Sequence, residues 1–120
     1  MTPFGKKLRD LRAERGISQK DMAKAIGVSA AYLSALEHGR RGQPTWDKLQ
    51  RIIQYFNIIW DEAEELQRLA MISDPRITID TGGLTPAATE LANLLAETIG
   101  EIDAATAEEL IKRLRAVRKG

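Results

Sequence analysis

Apolar residues recur at helical spacing along the first 71 residues of the chain. Phe4, Leu8 and Leu11 form the first set, three or four positions apart, so their side chains share one face of a helix. Four more sets follow: Met22, Ala23 and Ile26; Tyr32, Leu33 and Leu36; Trp46, Leu49, Ile52, Ile53 and Phe56; and Ala63, Leu66, Leu69 and Ala70. The pattern predicts five helices, each with one buried face.

Residues that favour helix ends stand between these sets. A Ser or Thr precedes each of the first four: Thr2, Ser18, Ser29 and Thr45. Such a side chain accepts a hydrogen bond from a backbone N–H that the first helical turn leaves free. Gly16, Gly27 and Gly39 follow the first three sets, where a glycine commonly ends a helix.

The pattern changes after residue 73. Residues 76–80 read RITID, an alternation of β-branched and polar residues that predicts a short strand. Two apolar stripes follow, in helices predicted over 86–99 and 103–118, with Thr85 and Asp103 as their caps. The stripes consist of Leu91, Leu95 and Ile99 in the first helix and of Leu110, Leu114 and Val117 in the second. We therefore divide the chain into residues 1–73 and residues 74–120.

The charge of the chain is distributed unevenly between its halves. The net charge is +1, but residues 1–57 hold 11 Lys and Arg against 5 Asp and Glu, whereas residues 58–120 hold 7 against 12. Solvated charges can segregate by chance, and the alternative is that the basic half meets a polyanion while the acidic half has another role.

Membrane spans and export signals are missing from the pattern. No apolar run approaches the roughly 18 residues of a membrane span, and the N-terminus lacks the apolar segment of a signal peptide. We expect a cytoplasmic protein without a membrane partner.

Little in the chain favours catalysis or metal binding. It has no cysteine and one histidine, His38, so neither a thiolate site nor a zinc site with several ligands is expected. The acidic run at 61–65 is interpreted as a solvated helix start, where the helix dipole favours carboxylates. Trp46 and Trp60 are interpreted as core residues rather than base-stacking ones. We predict no enzyme activity, no cofactor and no metal.

Residues 19–37 fulfil the conditions of a helix-turn-helix together. Ala23 is small where a second helix must cross closely, and Gly27 permits a left-handed turn conformation. Leu33 and Leu36 are apolar where the following helix must pack on the preceding ones. Two short helices with a tight turn between them are therefore predicted.

The run LRDLRAERGISQKDMAKAIGVSAAYLSALEHGRRGQPTWDKL resembles the Cro and phage-repressor (Xre-like) family of DNA-binding domains over residues 4–56. The resemblance implies an all-α fold. It also implies a transcription regulator that binds double-stranded DNA. Together with the pattern after residue 73, we predict a five-helix repressor-like helix-turn-helix domain, then the short strand-like segment and a C-terminal two-helix dimerisation element.

The resemblance assigns roles to particular positions. The residues that would face base edges in the major groove are Ala30, Ala31, Ser34 and Ala35. The residues that would contact DNA phosphates or the adjacent backbone are Gln19, Ser29, Tyr32, Arg40, Arg41 and Gln43. Arg12 and Glu37 would form a structural ion pair. Alanine methyl groups can pack on the thymine methyl group but cannot form a hydrogen bond to a base, so we expect A·T-containing half-sites.

The C-terminal stripes require a partner, since about 30 helical residues cannot bury a core alone. A second copy of the chain is our preferred partner, which would place two recognition helices on a palindromic operator. Packing of these helices on the fourth and fifth helices, or docking of a protein ligand, are the alternatives. The predicted function is a homodimeric repressor at the nucleoid. The alternative is an antitoxin-type subunit that binds a partner protein and regulates its own promoter.

Overall fold

The computed structural model describes residues 1–119 and divides into two compact units, Met1–Ile77 and a second that begins at Thr78. Gly120, the last residue of the predicted C-terminal element, lies outside the described residues. All regular secondary structure in the described range is α-helical. The predicted all-α class is therefore confirmed, while the functional division at residue 73 stays a prediction.

Seven helices occupy the described residues. They are α1 (Pro3–Arg15), α2 (Gln19–Ile26), α3 (Ala30–Glu37), α4 (Trp46–Tyr55), α5 (Trp60–Met71), α6 (Pro86–Thr98) and α7 (Ala104–Lys119). Six of them begin at the predicted cap, whose side-chain oxygen accepts a backbone N–H: Thr2, Ser18, Ser29, Thr45, Thr85 and Asp103. Helix α5 begins without such a hydrogen bond.

The core of the first unit lies where its five helices meet. Helix α1 packs on α3 and α5, α2 packs on α3 and α4, and α4 packs on α5. The largest fully buried apolar side chains come from all five helices and include Phe4, Leu8, Met22, Leu33, Leu36, Ile52, Phe56 and Leu66. Since burial of such a side chain contributes roughly 1.5–3 kcal/mol, the predicted apolar faces hold the helices together.

The turn between α2 and α3 depends on a glycine. Gly27 has a φ of 76°, in the left-handed region that side chains with a Cβ disfavour. Directly after it, the Val28 N–H donates to the Ala23 carbonyl at 3.0 Å and closes the end of α2. Ala23 itself is buried. The small residue and the glycine together allow α3 to follow α2 after a gap of three residues.

A buried ion pair joins α1 to α3. The Arg12 guanidinium donates to both oxygens of Glu37, at 2.7 Å from Nε and 2.8 Å from Nη2, and to the Ile17 carbonyl at 3.1 Å. The Glu37 carboxylate is only 1% exposed. The hydrogen bond to Glu37 raises the pKa of Arg12 above its ordinary value. Because stability from a raised pKa is present at every pH below the ordinary value, this pair operates throughout the physiological range.

The two tryptophans do not lie in the core, and that prediction was wrong. Trp46 is 68% exposed and Trp60 is 81% exposed. Each is the first residue of its helix, ahead of the positions where the apolar face meets a neighbouring helix. Trp60 also has a left-handed φ of 55°. Helical spacing marks a face but cannot show how far along the helix a neighbour covers it.

The segment RITID at residues 76–80 forms no strand among the described residues, so the prediction of a short strand there was wrong. A strand needs a neighbouring backbone to pair with. The backbone hydrogen bonds in this region are local instead, with Arg76 N–H donating to the Asp74 carboxylate and Gly82 N–H donating to the Asp80 carboxylate. The alternation in the sequence is therefore not matched by a pairing partner within residues 1–119.

The second unit has no buried residue between 78 and 118. The large apolar side chains of α6 and α7 are 40% to 76% exposed at Leu91, Leu94, Ile99, Leu110, Ile111, Leu114 and Val117. Leu95 is half-buried. Helical spacing still places the predicted stripes on one face of each helix. An apolar surface of this kind is typical of a site that another chain covers.

We expect Arg12→Met to lower the free energy of unfolding by about 3 kcal/mol, because it leaves the Glu37 carboxylate buried and without its main partner. The control is Lys6→Met, which breaks the exposed Lys6–Asp10 pair at 3.0 Å and is expected to cost less than about 1 kcal/mol. Urea denaturation at neutral pH measures both. Equal losses in the two variants would contradict a structural role for the buried pair.

Candidate nucleic-acid interface

One surface of α3 carries most of the predicted DNA-facing residues. Ala30 and Ala31 are exposed in its first turn, and Ser34 and Ala35 are half-buried one turn later. Ser34 is also near His38, whose Nδ1 lies 3.3 Å from the Ser34 hydroxyl and 2.8 Å from its carbonyl oxygen. The structure thus presents a helix surface of small side chains with one hydroxyl group.

Tyr32 lies between this surface and two cations. The Lys48 ammonium is 4.2 Å from the centre of the Tyr32 ring, and the Arg41 guanidinium carbon is 5.3 Å from it. Both distances fall within the range of a cation–π interaction. Burial raises the pKa of the Tyr32 phenol, and the nearby Arg41 charge opposes that rise. The phenol therefore remains protonated at neutral pH and can donate a hydrogen bond.

Lys48 is a candidate site residue that the sequence interpretation missed. It belongs to the first turn of α4, where its backbone N–H donates to the Thr45 hydroxyl at 3.3 Å. This position places its ammonium group beside the Tyr32 ring. Its signal in the sequence was weak. Lys48 is a cation in the turn that follows the basic loop 39–44, but its helix was interpreted only from its apolar stripe.

Between α3 and these cations lies an open concavity of about 420 Å³. Its lining consists of Gly27, Val28, Ser29, Ala31, Tyr32, Ala35, Arg41 and Lys48. The two alanines leave space that longer side chains would fill. The concavity therefore combines a small-residue wall with hydroxyl groups and two positive charges, a composition that suits an anion lying along an apolar surface.

The loop 39–44 exposes its polar side chains while its backbone is held. Arg40, Arg41 and Gln43 are exposed, whereas Gly42 and Pro44 between and beside them are buried. Three side chains with hydrogen-bond donors are thus exposed on a short segment with an anchored backbone. Two of them are arginines, whose guanidinium groups match phosphate oxygens in geometry.

Gln19 and Ser29 stand at the starts of the two helices of the motif. The Ser29 hydroxyl accepts the Tyr32 N–H at 3.0 Å, which leaves its proton free to donate. The Gln19 amide nitrogen lies 3.4 Å from the Glu37 carboxylate, so one of its donors points toward the buried ion pair. Gln19 is half-buried and links the start of α2 to α1 and α3 through that carboxylate.

Residues 1–119 lack two further features that would suggest another role. No group of three or more His, Cys, Asp or Glu side chains there is arranged to hold a metal ion. None of the helices in that part of the chain is both long enough and apolar enough to cross a membrane.

Residues 3–69, more than half of the chain, match the family described as the helix-turn-helix domain. The chain belongs to the helix-turn-helix family. The resemblance predicted from the sequence is confirmed, and the match covers α1 to most of α5 of this helix-turn-helix protein. Its candidate interface is formed by the second helix of the motif, the following loop and the start of α4.

Curated relatives carry names of the same kind. The helix-turn-helix protein is 36% identical over 61 residues to the HTH-type transcriptional repressor RghR of Bacillus subtilis (strain 168), covering 51% of this chain and 45% of that protein. It is 43% identical over 44 residues to the uncharacterised HTH-type transcriptional regulator RghRB of the same organism, covering 37% and 32%. It is 43% identical over 55 residues to the ImmF control region 10 kDa protein of Bacillus phage phi105, covering 46% and 60%.

These relatives match over only part of their own length, from about a third to three fifths. Among solved structures, a chain of the SinR protein/SinI protein complex is 18% identical, with a TM-score of 0.47, over 98% of this chain and 99% of that one. The family assignment rests on the match over residues 3–69.

We predict that Arg41→Met raises the pKa of Tyr32 further, because the guanidinium charge favours the phenolate. Ultraviolet titration in a Tyr55→Phe background, where Tyr32 is the remaining tyrosine, measures this value. Since the folded state holds the phenol proton more tightly than the unfolded state, stability should fall as the pH rises above the ordinary value of 10.0. Arg40→Met is the control, and equal values in Arg41→Met and the parent would contradict the contact.

Proposed function

We propose that this helix-turn-helix protein is a sequence-specific regulator of transcription that binds double-stranded DNA, acting at the nucleoid as a repressor. The observation that carries the proposal is the exposed surface of α3, bordered by the cations Arg40, Arg41 and Lys48. An α-helix fits the major groove of B-DNA, and flanking cations would then lie along the phosphates.

Phosphate contacts would provide most of the affinity. Arg40, Arg41 and Lys48 supply the charges, and Gln19, Ser29, Tyr32 and Gln43 supply neutral donors around them. Such contacts orient a protein on the duplex but carry no direct information about base sequence. The basic character of residues 1–57 supports this role, because cations that replace condensed counterions increase affinity for any DNA.

Base recognition would depend on the small side chains of α3. Ala30, Ala31 and Ala35 offer methyl groups that can pack on thymine, and Ser34 offers a hydroxyl for hydrogen bonding. Each absent bidentate contact forgoes roughly 1–3 kcal/mol of discrimination. DNA shape and half-site spacing would supply the remaining specificity. Operators with strictly required G·C pairs beneath Ala30 and Ala31 would contradict this proposal.

A homodimer would fix the spacing of two half-sites. We propose that α6 and α7 of two copies cover each other's apolar stripes, since most of the side chains in those stripes are exposed. The proposed interface residues are Leu91, Leu95, Ile99, Leu110, Leu114 and Val117. Two-fold symmetry would match a palindromic operator with half-site centres roughly 34 Å apart.

The DNA proposal predicts that affinity for selected genomic fragments falls steeply with salt concentration, because several phosphates are neutralised. Lys48→Gln should weaken binding to all sites alike and reduce the slope of log affinity against log salt by about 0.9 per half-site. Ser34→Ala should change the preference among sites instead. Fluorescence anisotropy at a series of salt concentrations measures each effect.

The matched control for Lys48→Gln is Lys6→Gln, since Lys6 is an exposed lysine on α1 that already pairs with Asp10. We expect it to leave the slope unchanged. The proposed function would be overturned if the affinity of the parent protein did not change with salt concentration, or if the protein retained no DNA fragment. Equal slopes in the parent and Lys48→Gln would remove Lys48 from the interface.

The dimer proposal predicts that the full chain sediments as a dimer and that Leu95→Glu combined with Leu114→Glu sediments as a monomer. Two carboxylates within the apolar stripes would have to be buried without partners. The control is Asn93→Glu combined with Ala116→Glu, because helical spacing places both of these exposed residues on the other side of their helices. It should remain dimeric in analytical ultracentrifugation.

A second candidate function is that of an antitoxin-type subunit whose second unit binds a different protein. The excess of acidic residues in 58–120 and the exposed stripes of α6 and α7 favour it. A full chain that sediments as a monomer would contradict the homodimer and direct attention to a co-encoded partner gene.

A further inference from the structure

The loop 39–44 is docked against the end of α5. Gly42 is buried there, and a Cβ added to it would lie 2.0 Å from the Ser73 carbonyl oxygen and 2.6 Å from the Cα of Asp74. Real Cβ atoms do not approach backbone atoms this closely. The contact therefore requires glycine at this position, and the backbone of the loop and the backbone after α5 are neighbours.

Ser73 connects this contact to the start of α1. Its side chain accepts the Phe4 N–H at 2.9 Å and donates to the Leu69 carbonyl at 2.5 Å. Ser73 is 2% exposed, so both hydrogen bonds are shielded from water. A buried hydroxyl with a donor and an acceptor on two different helices fixes the place of its own backbone. The Ser73 carbonyl is thus held in place and limits how far the loop can move toward the end of α5.

The first part of the loop is fastened to α3. The backbone N–H groups of Arg40 and Arg41 both donate to the Ala35 carbonyl, at 2.9 Å and 3.1 Å. The Arg41 side chain also lies beside the Tyr32 ring. The two arginines are therefore bounded on one side by α3 and, directly after Arg41, by the Gly42 contact with Ser73.

We propose that Gly42 and Ser73 are positioning residues for DNA binding, which hold Arg40 and Arg41 in register with α3. Neither residue exposes a side chain that would touch DNA. They act by preventing the loop from moving away from α3, so that the recognition helix and the arginines can engage one duplex at the same time. The inference rests on the proposed function and identifies residues beyond those assigned to the interface.

Gly42→Ala in the full chain tests the inference with two readouts. The added Cβ should displace the loop, so amide hydrogen exchange of Arg40 and Arg41 should accelerate while that of Leu33 and Leu36 stays slow. The slope of log affinity against log salt should fall by up to about two per half-site, since two phosphate contacts are lost. Arg40→Ala combined with Arg41→Ala gives the reference value for complete loss.

Gly16→Ala is the matched control for destabilisation alone. Gly16 has a left-handed φ of 63°, so a side chain is strained there, but no atom lies within 4 Å of its added Cβ. It should lower stability by strain while leaving the salt slope and the exchange of Arg40 and Arg41 unchanged. A slope that falls equally in Gly16→Ala and Gly42→Ala would overturn the inference.

Ser73→Ala is the second variant, and it keeps the test decisive if Gly42→Ala does not fold. It adds no atom but removes both buried hydrogen bonds of the Ser73 side chain. Faster exchange at Arg40 and Arg41 and a reduced slope would support the inference, whereas parental values for both would refute it. If the parent protein binds no DNA, the proposed function fails, and the exchange rates still decide whether Gly42 and Ser73 hold the loop.

Discussion

The burial of the Glu37 carboxylate is the constraint on which the arrangement of the first unit depends. A charge removed from water must be paired, and Arg12 supplies two hydrogen bonds from α1 while Gln19 approaches from the start of α2. Three helices of the domain therefore meet at one side chain. Because Glu37 is the last residue of α3, this pair anchors the end of that helix directly before the basic loop. The outer surface of α3 is oriented by an interaction on its inner side.

Features set by near neighbours in the chain could be predicted from the sequence pattern. Features set by distant residues could not, apart from the Arg12–Glu37 pair that the resemblance implied. Six helix caps depend on residues three positions apart, and all six were predicted. The exposure of Trp46 and Trp60 depends on where other helices end, and periodicity carries no such information. Residues 76–80 have the composition of a strand but pair with no backbone in the part of the chain that the structure describes.

The same distinction applies to the candidate interface. The positions on α3 and in the loop followed from the resemblance of a contiguous run of residues. Lys48 meets the Tyr32 ring from another helix, and Ser73 bonds to a residue 69 positions earlier. Neither contact has a local pattern that would reveal it. In the proposed interface, small side chains lie on α3, and part of the charge comes from Lys48, which only the folded domain brings beside that helix.

The absence of buried residues between 78 and 118 has a thermodynamic consequence for the proposed dimer. A unit whose apolar surface is covered only by another copy gains its stability through mass action, so its free energy of folding contains a term in protein concentration. Occupancy of a palindromic operator would then rise more steeply than in simple proportion to the amount of protein. Such a regulator would respond to its own concentration. Through dimerisation of α6 and α7, a change in that concentration would cause a proportionally larger change in operator occupancy.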